Sequence, residues 1–115
     1  VKSKVDWKIE CQAEIERGLT ARADGNEAMA RVCARRAAGI IIGEYFRRNG
    51  IDDLNKSAYK RLLFFASLSG VDQQYKEVAS HCLLKVGSDR RLPIKVDLLE
   101  EVVWLKNSLL VDEKQ

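Results

Sequence analysis

The sequence predicts an all-α protein, an antiparallel bundle of four to five helices forming one domain over residues 1–115. Three observations carry that prediction. Apolar side chains recur at helical spacing along most of the chain. Asp24 with Glu27, and Asp97 with Glu100, each match the pattern of a helix cap followed three places later by an acid. No stretch shows sustained apolar alternation bounded by turns, so no strand is expected. A single proline and seven glycines in 115 residues also leave little room for long structureless loops.

The first helix is expected over residues 5–23, with Trp7, Cys11, Ile15 and Leu19 recurring every four residues as one slowly drifting stripe. The Asp24/Glu27 pair places the start of the second helix near Gly25. It should run to about Asn49, where Gly50 followed by apolar Ile51 looks like a Schellman stop. Asn55 or Ser57 can cap a third helix reaching about Leu68, with Tyr59, Leu62, Phe65 and Ala66 inward. Asp72 opens a fourth, whose inward set is Tyr75, Val78, Ala79, Cys82 and Val86 and which Gly87 ends. Residues 88–96 hold the only proline and read as a loop. Asp97 then caps a last helix to about Val111, carrying Leu98, Val102, Leu105 and Leu109 inward.

Residues 32–46, VCARRAAGIIIGEYF, hold the centre of this arrangement. At about 100° per residue the apolar side chains fall on nearly every side, which suits a helix surrounded by others. The run is too short and too charged for a membrane span, which takes about 20 mostly apolar residues. Arg35, Arg36 and Glu44 then face partial burial, costly for charges unless they are paired.

Net charge is +3, too small by itself to imply nucleic acid, but its distribution is uneven. Between residues 17 and 50 seven arginines face three acids, a net +4; between 94 and 115 three lysines face five acids, a net −2. A basic first half and an acidic end are expected to attract within the fold or across a dimer. Cys11, Cys33 and Cys82 are odd in number, widely spaced and follow no secretory signal, which fits reduced core thiols in the cytoplasm.

The run NEAMARVCARRAAGIIIGEYFRRNGI, with Ala37-Ala38, Tyr45-Phe46 and Gly50, resembles the second helix of HEPN domains. The preceding long helix and the following shorter ones agree in order. The resemblance implies a four- or five-helix bundle, commonly a homodimer, in a family with RNA-cleaving members. Those members carry an arginine, four to six intervening residues and then a histidine late in the domain. Here His81 is the only histidine, and Lys76 has the spacing without the planar fork that grips phosphate bidentately. The resemblance therefore implies a non-catalytic member or a structural relative.

Several positions are candidates for binding. Arg31 and Arg35 lie one turn apart and could grip a phosphate or carboxylate. Alternatively, Glu27 pairs with Arg31 while Arg35 and Arg36 meet acids of the first or last helix. Gly39 and Gly43 make a G-x-x-x-G step whose helix cost, roughly 0.8–1 kcal/mol per glycine, makes sense where another backbone comes close. That backbone belongs either to the same chain or to a second copy. Trp104 falls off the inward stripe of the last helix and serves either as an interface anchor or as a lid on the 88–96 loop. Phe64, Leu68 and Leu84 also fall off their stripes and extend the apolar surface. The segment SDRRLPIKVD adds Arg90, Arg91 and Lys95 as a basic surface. His81 with Cys82 lacks the paired ligand spacings of a zinc site, and His81 is expected on the surface. No cofactor, metal or catalytic residue is expected. The leading expectation is a non-enzymatic module that self-associates, most simply as a symmetric dimer. The alternative is an RNA- or nucleotide-binding domain using the arginines of the second helix or the 88–97 loop.

Overall fold

The computed structural model describes residues 4–53 and 57–111, and these form five helices: α1 (Lys4–Ala23), α2 (Glu27–Arg48), α3 (Ala58–Ser67), α4 (Gln73–Cys82) and α5 (Leu98–Leu109). No strand occurs among the described residues. α2 touches all four of the other helices, and its pairing with α1 is the most extensive. Its buried residues explain why: Ala30, Cys33, Ala34, Ala37, Ala38, Ile41, Ile42 and Phe46 spread over about 220° of the cylinder, and the remaining side carries exposed Arg36 and Arg47. Alanines let neighbouring helices approach, and the bulkier Ile and Phe fill the space where they diverge. Phe46 meets the ring of Phe64 at 5.6 Å, and Tyr45 meets Phe65 edge-on at 5.4 Å, which locks α3 to the end of α2.

The helix ends follow from local chemistry, with some shifts from expectation. Gly50 is left-handed (φ 64°), and the Ile51 N–H donates to the Phe46 carbonyl at 2.9 Å, closing the expected Schellman motif. The Asp24/Glu27 expectation is corrected. Gly25 (φ 82°) ends α1 by the same device, with Asn26 N–H donating to Ala21 O at 2.8 Å. Asn26 then caps α2, its side chain accepting from Met29 N–H at 3.0 Å. Both candidate caps are good acceptors, but the left-handed glycine must come after one helix and before the next. Ser57 caps α3 and Asp97 caps α5, accepting from Lys60 N–H and Glu100 N–H. The other candidate cap for α3, Asn55, lies outside the described residues.

Three stripe assignments are also corrected. Leu19 is half exposed, because a four-residue repeat drifts by about 40° per step around a helix; Gly18 and Ala21 are buried instead. Gly18 allows a close approach of α1 to its neighbours, since a Cβ there would lie 2.8 Å from Leu99 Cδ2 and 3.2 Å from Cys33 Cβ. Tyr59 is exposed at the first turn of α3. α4 stops at Cys82 rather than running to Gly87, leaving Val86 exposed in the following segment. No helix is long and apolar enough to cross a membrane among the described residues.

Candidate functional site

The charged residues expected to face burial along α2 meet different fates. Glu44 is buried, and the last turn of its own helix supplies its partners: Arg47 bidentately at 2.8 and 2.6 Å, and Arg48 Nε at 2.8 Å. The Arg47 hydrogen bonds hold its carboxyl below the usual range. Arg35 was expected to meet an acid of the first or last helix. It donates instead from Nε to the Cys82 carbonyl at 2.7 Å and from Nη2 to the Leu84 carbonyl at 3.5 Å. The unpaired carbonyls and negative dipole end of α4 take the place of a carboxylate. Arg35 thereby takes up the Cys82 carbonyl, one of those that the end of α4 leaves without a helical partner. Arg36 is exposed and meets no acid among the described residues.

The glycine step is filled from within the chain. A Cβ on Gly39 would lie 2.6 Å from Ala58 Cβ and 2.8 Å from its Cα, and one on Gly43 would lie 2.7 Å from the Arg61 guanidinium. Arg61 also donates to the Gly39 carbonyl at 3.0 Å and holds Asp53 through Nε and Nη2 at 2.8 and 2.6 Å. The second backbone is thus α3. Arg61 was missed in the sequence, where nothing in its neighbourhood marks it as the partner of Gly43. Trp104 is 39% exposed and lies against the Tyr75 ring of α4, centroids 5.4 Å apart. His81 is half-buried rather than on the open surface, with Nδ1 2.8 Å from Glu101 Oε1. Cys11, Cys33 and Cys82 are all buried free thiols; burial pushes Cys11 up to about 11 and Cys82 up to about 12, which suppresses thiolate chemistry. Among the described residues no cluster of His, Cys, Asp or Glu could hold a metal ion.

Four of the predicted cations come together. An open groove of about 910 Å³ lies between the α1–α2 turn and the segment before α5, lined by Arg31, Arg90, Arg91 and Lys95 along with Leu92 and Ile94. The segment is pinned by a tight turn. Gly87 N–H donates to Arg91 O and Arg90 N–H to Gly87 O, each at 2.9 Å, while Asp89 accepts from Arg91 N–H at 3.0 Å. Arg90 is the only non-glycine residue at positive φ (64°) among those described. That conformation costs about 1–2 kcal/mol for a residue with a Cβ.

Glu27, the one acid that lines this groove, and Asp97 next to it are already paired. Arg22 bridges Glu27 (2.7 and 3.0 Å) and Asp97 (3.0 and 3.1 Å), and these hydrogen bonds hold both carboxyls below their usual range. The expected Glu27–Arg31 pair is therefore replaced by Glu27–Arg22. Arg31 has only a long 3.5 Å contact to the Arg90 carbonyl. Among the described residues none of the four groove cations has a carboxylate within ion-pair distance, although the Glu27 carboxylate, which also lines the groove, attracts Arg31 at longer range.

Compared with known proteins, the chain matches no family model, no curated protein and no solved structure.

Proposed function

We propose that this protein is a non-enzymatic helical binding module whose groove takes the phosphate backbone of single-stranded RNA. The observation that carries the reading is the convergence of Arg31, Arg90, Arg91 and Lys95 on one open groove whose single lining acid, Glu27, is paired with Arg22. Cations without internal partners are free to neutralise phosphates and release counterions. The N-terminal turn of α2 opens on the same groove and adds the positive end of its dipole. No aromatic side chain lines it, so bases have no stacking platform and binding would be indifferent to sequence. An up-and-down, HEPN-like arrangement of the helices belongs to the same reading. So does the lack of RNA cleavage, since Lys76 is spent on the Leu68 carbonyl and His81 on Glu101.

Fluorescence anisotropy with a labelled single-stranded RNA tests this. The wild type should bind at low salt, and changing Arg90, Arg91 and Lys95 together to Gln should weaken binding by at least about tenfold while the helical circular dichroism is unchanged. RNA bound equally by both proteins, or by neither, overturns the reading. If a mononucleotide competes as well as RNA, the ligand is a nucleotide instead.

A second reading, self-association as a dimer, draws support from the outer face of α3, where Tyr59, Leu63 and Phe64 are between 44% and 59% exposed. With the Gly39/Gly43 step occupied by α3, this face replaces it as the candidate contact. A strict monomer in sedimentation at tens of micromolar would exclude it.

A further inference from the structure

A second groove, independent of the RNA reading, shares no lining residue with the first. It has a volume of about 540 Å³ and is bounded by α2, the start of α3 and the residues following α4. Its surface is mainly apolar: Val32, Ala58, Leu62, Leu83, Leu84 and Val86 all line it. Arg35, Arg36 and Lys85 line it too, and no Asp or Glu does. The size falls within the roughly 300–1,000 Å³ of small-molecule sites, which combine apolar walls with a few placed polar groups.

We propose that this groove binds a small amphipathic anion, an alkyl chain of medium length carrying a single carboxylate. Apolar walls call for an apolar body, and three cations with no acid among them call for a negative head group. Arg35 is held in place through the Cys82 and Leu84 carbonyls, so its remaining N–H groups are oriented before any ligand arrives. Arg36 and Lys85 are exposed and have no carboxylate partner among the described residues, so a ligand carboxylate need displace no internal ion pair. A polyphosphate fits less well, because most of the lining could not solvate it. Tyr59 sits at the rim with its ring exposed, where it can cover an alkyl chain.

Calorimetric titration with decanoate, using decanol as the neutral counterpart, tests the assignment. Decanoate should saturate one site, and decanol should bind about tenfold more weakly, the loss expected when a charge-assisted hydrogen bond goes unmade. Arg36→Gln should lower decanoate affinity by several fold. Val86→Asp, at an exposed position outside any helix, should lower it further by placing a carboxylate in the lining. The Arg90, Arg91 and Lys95 triple variant should leave decanoate binding within about twofold, which separates this groove from the RNA reading. Absence of saturable decanoate binding, equal binding of decanol, or indifference to both Arg36→Gln and Val86→Asp overturns the proposal.

Discussion

The α2–α3 face and the groove before α5 use arginine in opposite ways. On the first, Arg61 is consumed by Asp53 and the Gly39 carbonyl, and its guanidinium packs over Gly43. In the second, Arg90 and Arg91 belong to a turn held by backbone hydrogen bonds, and their side chains are left without carboxylates. Equal formal charge therefore has unequal meaning. A cation already spent on the fold contributes to stability, whereas one without an internal partner is capacity for a ligand. Arg22 links the two uses, since its pairs with Glu27 and Asp97 brace α1 against α2 and α5 and also leave the groove positive.

If that contrast holds, substitutions on the two sides should separate stability from binding. Gly39→Val should have the largest effect, about 3 kcal/mol of destabilisation in urea unfolding, because its Cβ would meet the Ala58 backbone. An unfolding midpoint unchanged by Gly39→Val would mean that α3 does not pack there. Arg61→Gln should cost about 2 kcal/mol, leaving Asp53 and the Gly39 carbonyl without a charged donor. Arg22→Gln should cost about 1 kcal/mol by the same measurement, since its two ion pairs are partly exposed. At the other extreme, Arg90→Gly should leave stability unchanged or raise it by up to about 1 kcal/mol, by relieving the left-handed backbone. The same change should weaken RNA binding. A destabilised Arg90→Gly protein would show that this side chain, too, is part of the fold.

Acid should act mainly on the first kind of site. The carboxyls of Glu27, Glu44 and Asp97 titrate below their ordinary values of 4.5, 4.5 and 3.8 in the folded protein. Their contribution is therefore full above those ordinary values and is lost as pH falls through the lower folded ones. Urea midpoints should be level near neutrality and fall progressively below about pH 4.5. Arg22→Gln should flatten the part of that fall due to Glu27 and Asp97, leaving the Glu44 part in place. An identical acid profile in the variant would contradict the role given to Arg22.

Local signals in the sequence predicted local structure well. The five helices, the Schellman stop at Gly50, the Asp97 cap and the buried cysteines could all be read from neighbouring residues. The Asp24 cap and the Leu19 position were misread on local grounds, but the other misreadings depend on partners distant in sequence. Nothing near Cys82 says that Arg35, 47 residues away, will take its carbonyl. Glu27 has two arginines within reach, Arg22 and Arg31, and it pairs with Arg22, which also holds Asp97, the cap of α5 and a residue 75 places away. The four groove cations were each visible as basic residues. Their assembly was not, because it depends on a turn in which Arg90 adopts a backbone conformation that its residue type disfavours.

The most direct test of the central claim is the salt dependence of RNA binding. If the four groove cations each neutralise one phosphate, log K against log[salt] should have a slope of about −3 for single-stranded RNA. With Arg90, Arg91 and Lys95 changed to Gln, only Arg31 would remain and the slope should fall to about −0.7. A slope near zero for the wild type, or the same steep slope in the variant, would contradict the account.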